Sequence, residues 1–356
     1  MSIIILSFLT AFTLTYFAIP PIIRIAKQKH LFDVPGERSS HTVKTPALGG
    51  IGIFSGAIFS IVLWTPFEQF GNLQYILCGF IILFLIGVKD DLSPMSPRHK
   101  MIAQILTAAI LVIKSDIHLS GFYGLFGLHD ELHEVFYLFL SIFTILVIIN
   151  AFNLIDGING LAGSVGALIS GVLGCWFFWA GKMELAIVAF TMVGSIIAFL
   201  KYNYTPAKIF MGDTGSLIIG MVCAVLMLEF MHMNYSMSDS DPRKFYDVPA
   251  VAVGIMIIPL FDTIRVFTTR IYRGHSPFKP DRRHIHHLLI DYGLTHMQAT
   301  GALVAINILY ILFVFSFHNV ISLHLMMLLV IGSATGLTFL LHSKVVQKKN
   351  KLIALG

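Results

Sequence analysis

Hydrophobic positions along this chain come in long unbroken runs. They fall near 3–23, 47–66, 73–88, 101–114, 134–151, 161–180, 185–200, 214–233, 247–268, 298–317 and 320–342, and charges or helix breakers interrupt each junction. A helix needs roughly 17 to 25 apolar residues to cross the hydrocarbon layer of a bilayer. The pattern therefore predicts an all-α, polytopic integral membrane protein of 10 to 11 transmembrane helices, organised as one domain over residues 1–356. The runs are continuously apolar and do not alternate, which excludes a closed membrane barrel. No basic residue precedes the first run and no small-residue cleavage site follows it, while Arg24, Lys27 and Lys29 lie just beyond. That order predicts a retained span, not a signal peptide.

Composition agrees: 56% of the residues are hydrophobic and 12% charged, with mean hydropathy +0.82, which excludes an ordinary soluble domain. The net charge of +5 is too small to argue for a nucleic-acid partner, so the placement of the charges matters more. Of 24 Lys and Arg, 20 fall in the loops near 24–46, 89–100, 201–212 and 265–297 and in the C-terminal tail. Lys114, Lys182, Arg243 and Lys244 occupy the opposite set. Basic loops stay in the cytoplasm. The asymmetry thus predicts an N-terminus outside, a C-terminus inside and a cell (inner) membrane location. Cys78, Cys175 and Cys223 sit alone inside apolar runs, giving neither a disulfide framework nor metal-ligand spacing. No internal repeat is visible, which weighs against a secondary transporter.

The polar residues that need explaining cluster on the predicted cytoplasmic side, in loops near 24–46, 89–100, 152–160, 201–213 and 269–297. Asp90 and Asp91 close the 73–88 run, where two acids oppose the helix dipole and require compensation. They read either as a solvated pair beside Lys89 and Arg98 or as a base and cation-holding site. Asn150 and Asn153 share a helical face, followed by Asp156, Gly157, Asn159 and Gly160, a density of amides and acid beyond what a turn needs. Asp213, within Phe210-Met211-Gly212-Asp213-Thr214-Gly215-Ser216, fits a helix cap or a hard-cation ligand. The last cluster, Arg282, Arg283, His284, His286 and His287, lacks the spacing of a zinc site and suits phosphate oxygens better. Asp262 and Arg265, spaced i, i+3 beside Pro259, read as a structural pair at a kinked helix.

At these residues the sequence resembles the polyprenyl-phosphate N-acetylhexosamine-1-phosphate transferases, in their WecA/TagO-like branch, over nearly the whole chain. The matching stretches are Asp33-Val34-Pro35, Ser40-His41 and Lys44-Thr45-Pro46 through Gly49-Gly50, then Asp90-Asp91, Asn150 to Gly160, Phe210 to Ser216, and His284 to His287. The resemblance implies Asp213 as a Mg²⁺ ligand with Asn153 as a second, and Mn²⁺ as a substitute ion. It implies Asp90 as the acid that deprotonates or positions the acceptor phosphate, with Asp91 as its partner and Asp156 as a further motif acid. Lys100 matches a nucleotide-pyrophosphate contact, Phe210 and Asn159 match uracil contacts, and Lys44 with the 282–287 cluster match phosphate and sugar contacts. Many members carry a third acid where this chain has Pro94.

The implied reaction takes UDP-N-acetylhexosamine, GlcNAc first among the candidates, and undecaprenyl phosphate to a lipid-linked diphosphate sugar and UMP, the initiating step of cell-surface polysaccharide synthesis. Direct attack of the lipid phosphate is favoured over a covalent aspartyl intermediate. A muramyl-pentapeptide transferase of the same fold and a proton- or anion-coupled transporter are the alternatives. Ile285 interrupts the three adjacent histidines of the former, and the latter places its ionisable groups near the bilayer midplane. The long tail of the lipid is expected to enter through a groove at the Pro259 kink. Monomer and homodimer both remain open on sequence grounds.

Overall fold

The computed structural model describes residues 1–32, 44–274 and 283–355. The described residues form thirteen α-helices and no named β-strand: α1 (Ser2–Gln28), α2 (Gly49–Trp64), α3 (Leu73–Leu92), α4 (Pro97–Lys114), α5 (Glu134–Ile155), α6 (Leu161–Ala180), α7 (Met183–Asn203), α8 (Gly212–Ser236), α9 (Val248–Ile255), α10 (Ile257–Tyr272), α11 (Ile285–Tyr292), α12 (His296–Phe317) and α13 (Leu323–Leu355). α8 is the axis of the bundle. Almost all of its side chains are buried, and α2, α3, α5 and α6 all pack on it. α1, α2 and α6 also pack on α7. The side chains left exposed on the outer helices are largely Leu, Ile and Phe, such as Phe59, Phe139, Leu309 and Phe339. A large apolar rim around a packed core is what lipid, in place of water, solvates. The protein is a multi-pass membrane protein.

Every predicted apolar run is helical, but the count of eleven spans is larger than length and apolarity support. Eight described helices meet both criteria, and α9 with α10 makes a ninth if the bent pair is one span. α2 has 16 residues, about 24 Å at 1.5 Å per residue, short of a hydrocarbon layer of about 30 Å. α4 begins at Pro97 and so takes in Arg98 and Lys100 as well as Lys114. The run near 247–268 is not one kinked helix: it breaks by 87° between α9 and α10. The break falls at Met256, in the turn that precedes Pro259. Pro259, the third residue of α10, has no N–H to give the Ile255 carbonyl four residues earlier and its ring crowds that carbonyl, so the helix breaks within the turn ahead of the proline. Asn307 of α12 donates its amide to the Ile255 carbonyl at 2.9 Å, satisfying an acceptor beside the break.

Candidate active site

At one end of the bundle, the C-terminal ends of α3, α5 and α7 meet the N-terminal end of α8. They enclose a cavity of about 650 Å³ whose wall includes Asp90, Asp91, Asn153, Asp156, Asn159, Phe210 and Asp213. Helix-ending chemistry places them there. α3 stops before Ser93-Pro94, α5 stops at Asp156-Gly157, and α7 stops three residues ahead of Pro206.

The adjacent acids Asp90 and Asp91 do different things. Asp91 Oδ1 accepts from the Asp213 backbone N–H at 2.7 Å, and its Oδ2 accepts from the N–H and hydroxyl of Thr214 at 3.1 and 2.5 Å. The first turn of α8 has no capping side chain of its own. Asp91, from α3, caps it across the bundle. Gly212 makes this approach feasible: its φ is +73°, and a Cβ would lie 2.6 Å from an Asp91 carboxylate oxygen. Asp90 instead accepts from the Met95 N–H at 2.7 Å and pairs with Lys100 Nζ at 2.5 Å. The same ammonium lies 2.5 Å from Asp213 Oδ2. Lys100 thus bridges the two carboxylates that α3 and α8 present to the cavity.

Asn153 donates to Asp213 Oδ1 at 3.1 Å and to Ser216 Oγ at 3.0 Å. Asn150, on the same face, turns to Gln104 at 2.6 Å. Asp156 is half-buried in the wall, and its pKa is pushed up to about 8, first by burial and then by the negative charges of Asp213 and Asp91. Asn159 donates to Thr205 at 2.9 Å, while its carbonyl accepts from Thr300 at 2.8 Å. Phe210 is pinned through its backbone, N–H to Pro46 at 2.7 Å and carbonyl to Gly49 at 2.9 Å.

The basic and histidine residues are less centrally placed. Lys44 is exposed and does not line the cavity. Arg282 and the 33–43 stretch, with Asp33-Val34-Pro35 and Ser40-His41, lie outside the described residues. Arg283 contributes its carbonyl to Arg265 Nη2 at 2.5 Å. His284, His286 and His287 are all buried and none of them is part of the cavity wall. His286 reaches that wall through Gly157, where a Cβ would sit 2.3 Å from His286 Nε2. Burial pushes its pKa down to about 3, so the ring is neutral. Behind this row, Asp262 and Arg265 form the expected i, i+3 pair at 2.8 Å, and Asp262 also meets His284 Nδ1 at 2.9 Å.

Sequence reasoning passes over Asn203, which is buried in the cavity wall. Its oxygen accepts from the Gly160 N–H at 2.7 Å and its amide donates to the Ile209 carbonyl at 2.9 Å, tying the loop after α5 to the loop before α8. The available signal is an amide at the end of an apolar run. His30, Leu31 and Phe32, after α1, also line the cavity without any sequence pattern that announces it.

The family model described as Glycosyl transferase family 4 matches residues 73–231, the stretch from α3 into α8. The undecaprenyl-phosphate alpha-N-acetylglucosaminyl 1-phosphate transferase of Salmonella typhi is 31% identical over 281 residues, covering 78% of this chain and 73% of that protein. The protein of the same name from Yersinia pestis is 30% identical, covering 78% of this chain and 74% of its own length. A probable undecaprenyl-phosphate N-acetylglucosaminyl 1-phosphate transferase of Bacillus subtilis is 28% identical over 298 residues, with 83% and 80% covered.

Proposed function

This chain belongs to glycosyl transferase family 4, and on that premise we propose that it transfers N-acetylglucosamine 1-phosphate from UDP-N-acetylglucosamine to undecaprenyl phosphate. The products are UMP and a lipid-linked diphosphate sugar, the first intermediate of a cell-surface polysaccharide. The observation that carries the reading is the cavity at one end of a membrane bundle whose wall presents Asp90 and Asp213, bridged by Lys100. A lipid phosphate and a soluble nucleotide sugar can meet only at such a boundary. By the distribution of Lys and Arg, that end faces the cytoplasm, where nucleotide sugars are made.

Bond making needs little covalent help from the protein. One P–O bond forms from the lipid phosphate to the sugar-bearing β-phosphorus, and the bond from that phosphorus to the bridging oxygen breaks, sending the electron pair out with UMP. A phosphate monoester loses its second proton near pH 6, so the acceptor is largely ionised at neutral pH. Asp90, locked by Met95 and Lys100, then acts chiefly by positioning the acceptor and taking any residual proton. Lys100 moves from the two carboxylates to the diphosphate and offsets the charge that builds on the leaving group. Phe210 gives a flat surface for uracil and Asn159 an amide for its edge, and the buried histidine row backs the wall at Gly157.

A divalent cation, Mg²⁺ or Mn²⁺, fits this donor set. Among the described residues no group of three or more His, Cys, Asp or Glu stands in ligating geometry. Mg²⁺ does not require one, because it takes one or two carboxylates and completes its shell with water and phosphate oxygens. The ammonium held between Asp90 and Asp213 marks a place where cationic charge is already favoured. Asp213 and Asn153 would hold the ion, Asn153 by turning over its amide to present oxygen in place of nitrogen. When bound, it supplies Lewis-acid neutralisation of phosphate charge.

The test is purified protein with undecaprenyl phosphate, Mg²⁺ and a panel of UDP-sugars. Lipid-linked sugar should form with UDP-N-acetylglucosamine, disappear in excess EDTA and disappear in Asp213→Ala with the fold retained. Turnover at full rate in EDTA would remove the metal from the reading, and transfer from none of the donors would remove the reading itself.

A further inference from the structure

Asp262 lies on α10, buried and outside the cavity wall, yet its carboxylate is the organising point of the histidine segment. Its Oδ1 accepts from Arg265 Nη2 at 2.8 Å and from the Ile285 backbone N–H at 3.0 Å, and its Oδ2 meets His284 Nδ1 at 2.9 Å. Ile285 is the first residue of α11, and the N-cap residue His284 makes no capping bond of its own. Asp262 therefore caps α11 from another helix. Arg265 adds a strap, its Nη2 also donating to the Arg283 carbonyl at 2.5 Å.

The chemistry of the His284 contact is directional. An ionised carboxylate can only accept, so Nδ1 must carry the proton, which leaves Nε2 as the nitrogen available to a ligand. The His284 ring stacks on His286 with centroids 5.7 Å apart and planes 10° from parallel, and His286 lies against Gly157 in the cavity wall. A change in the set of His284 is thereby passed to the wall through two rings. A surface pair holding a kinked helix together has no reason to spend a buried carboxylate on a histidine 22 residues away.

We propose that Asp262 is a positioning residue of the transferase, which fixes the tautomer of His284 and the start of α11 and so holds His286 against Gly157, in the wall that receives the nucleotide sugar. This rests on the function proposed above. Besides Asp262 and His284, the titratable groups that bear on His286 are His287 beside it and His296 at the start of α12.

Asp262→Asn keeps the size of the side chain but presents a neutral amide to His284. An amide can donate as well as accept, so the carboxylate that fixes the proton on His284 Nδ1 is lost. In detergent-purified enzyme, kcat/KM for UDP-N-acetylglucosamine should fall on the order of 100-fold. The loss should lie with the nucleotide sugar, the KM for undecaprenyl phosphate staying within about twofold, and Asp262→Glu should restore part of it. Because Asp262 acts through His284, adding Asp262→Asn to His284→Ala should cost less than about twofold further. A loss shared equally by both substrates, or a double variant whose losses multiply, would reduce Asp262 to a structural strut and overturn the proposal. If Asp262→Asn cannot be purified, His284→Ala alone decides: kcat/KM for UDP-N-acetylglucosamine within about twofold of wild type shows that His284 is not the group being set. Failure of the wild-type protein to transfer any sugar would instead count against the function, so the two outcomes are separable.

Discussion

Lys100 is held by two carboxylates from different helices, each at 2.5 Å, and its ammonium is the nearest internal counter-ion of both. Lys100→Met should leave Asp90 and Asp213 facing one another uncompensated and remove a donor from the diphosphate. We expect a loss in kcat/KM for the nucleotide sugar on the order of 100-fold, measured by UMP release, with undecaprenyl phosphate KM little changed. A larger effect on the lipid than on the nucleotide would place Lys100 on the acceptor side. Asp156 gives a pH test. Its folded pKa of about 8 lies above that of an unfolded aspartate, so the native state binds the extra proton between the two values. Stability from this group is full below about pH 4 and is lost as pH rises toward 8, with a slope of up to about 1.4 kcal/mol per pH unit. Asp156→Asn should flatten the fall in Tm between pH 5 and 8 in metal-free buffer, and an unchanged slope would contradict the assignment. The sequence shows the candidate acids but not their division of labour. Asp90 and Asp91 look equivalent as neighbours, because the partners that separate them, Met95 and Lys100 on one side and Asp213 with Thr214 on the other, are far apart in sequence for Asp91.

At the scale of elements, caps supplied from other helices are the feature that pattern reading cannot see. The apolar runs mark α8, whereas α11 lies in the stretch near 269–297 that they leave as a loop; neither carries its own capping side chain, and the residues that do the capping, Asp91 and Asp262, lie on α3 and α10. Asp91→Ala should therefore cost about 0.5 to 2 kcal/mol of stability, as a lost cap does, and should reduce turnover by releasing the backbone that aims Asp213. Thermal unfolding in detergent with parallel UMP assays reads both. A fully active, less stable variant would show that Asp91 serves the fold alone. Gly157 couples α11 to the loop after α5, and a Cβ there would strike His286 at 2.3 Å. Gly157→Ala should lower kcat/KM on the order of 100-fold while leaving α8 and the bundle folded, since a shift of about 1 Å near a reacting site has effects of that size. Pro259 marks the kink, and the chain turns at Met256 because the proline leaves the Ile255 carbonyl without a helical donor, a place that Asn307 of α12 takes from outside the run.

The whole molecule follows from the apolar runs and from the one-sided placement of polar residues, and both are legible in the sequence. The exact number of spans is less so, since α2 is short, α4 carries charge and the α9–α10 pair is bent. Orientation can be tested with cysteines at Ser93, beside the cavity, and at Asp241, in the loop between α8 and α9. A membrane-impermeant thiol reagent applied to intact cells should label the second and not the first, and the reverse would put the cavity on the wrong side for a cytosolic donor. The central claim is that both substrates occupy one cavity and react directly. It is met most directly by incubating the purified protein with UDP-N-acetylglucosamine labelled in its β-phosphate, with and without undecaprenyl phosphate. The account predicts no UMP without the lipid and, with it, UMP released in step with label appearing in the lipid-linked diphosphate sugar. A stoichiometric burst of UMP in the absence of lipid, with label bound to the protein, would contradict it and make an aspartate the nucleophile.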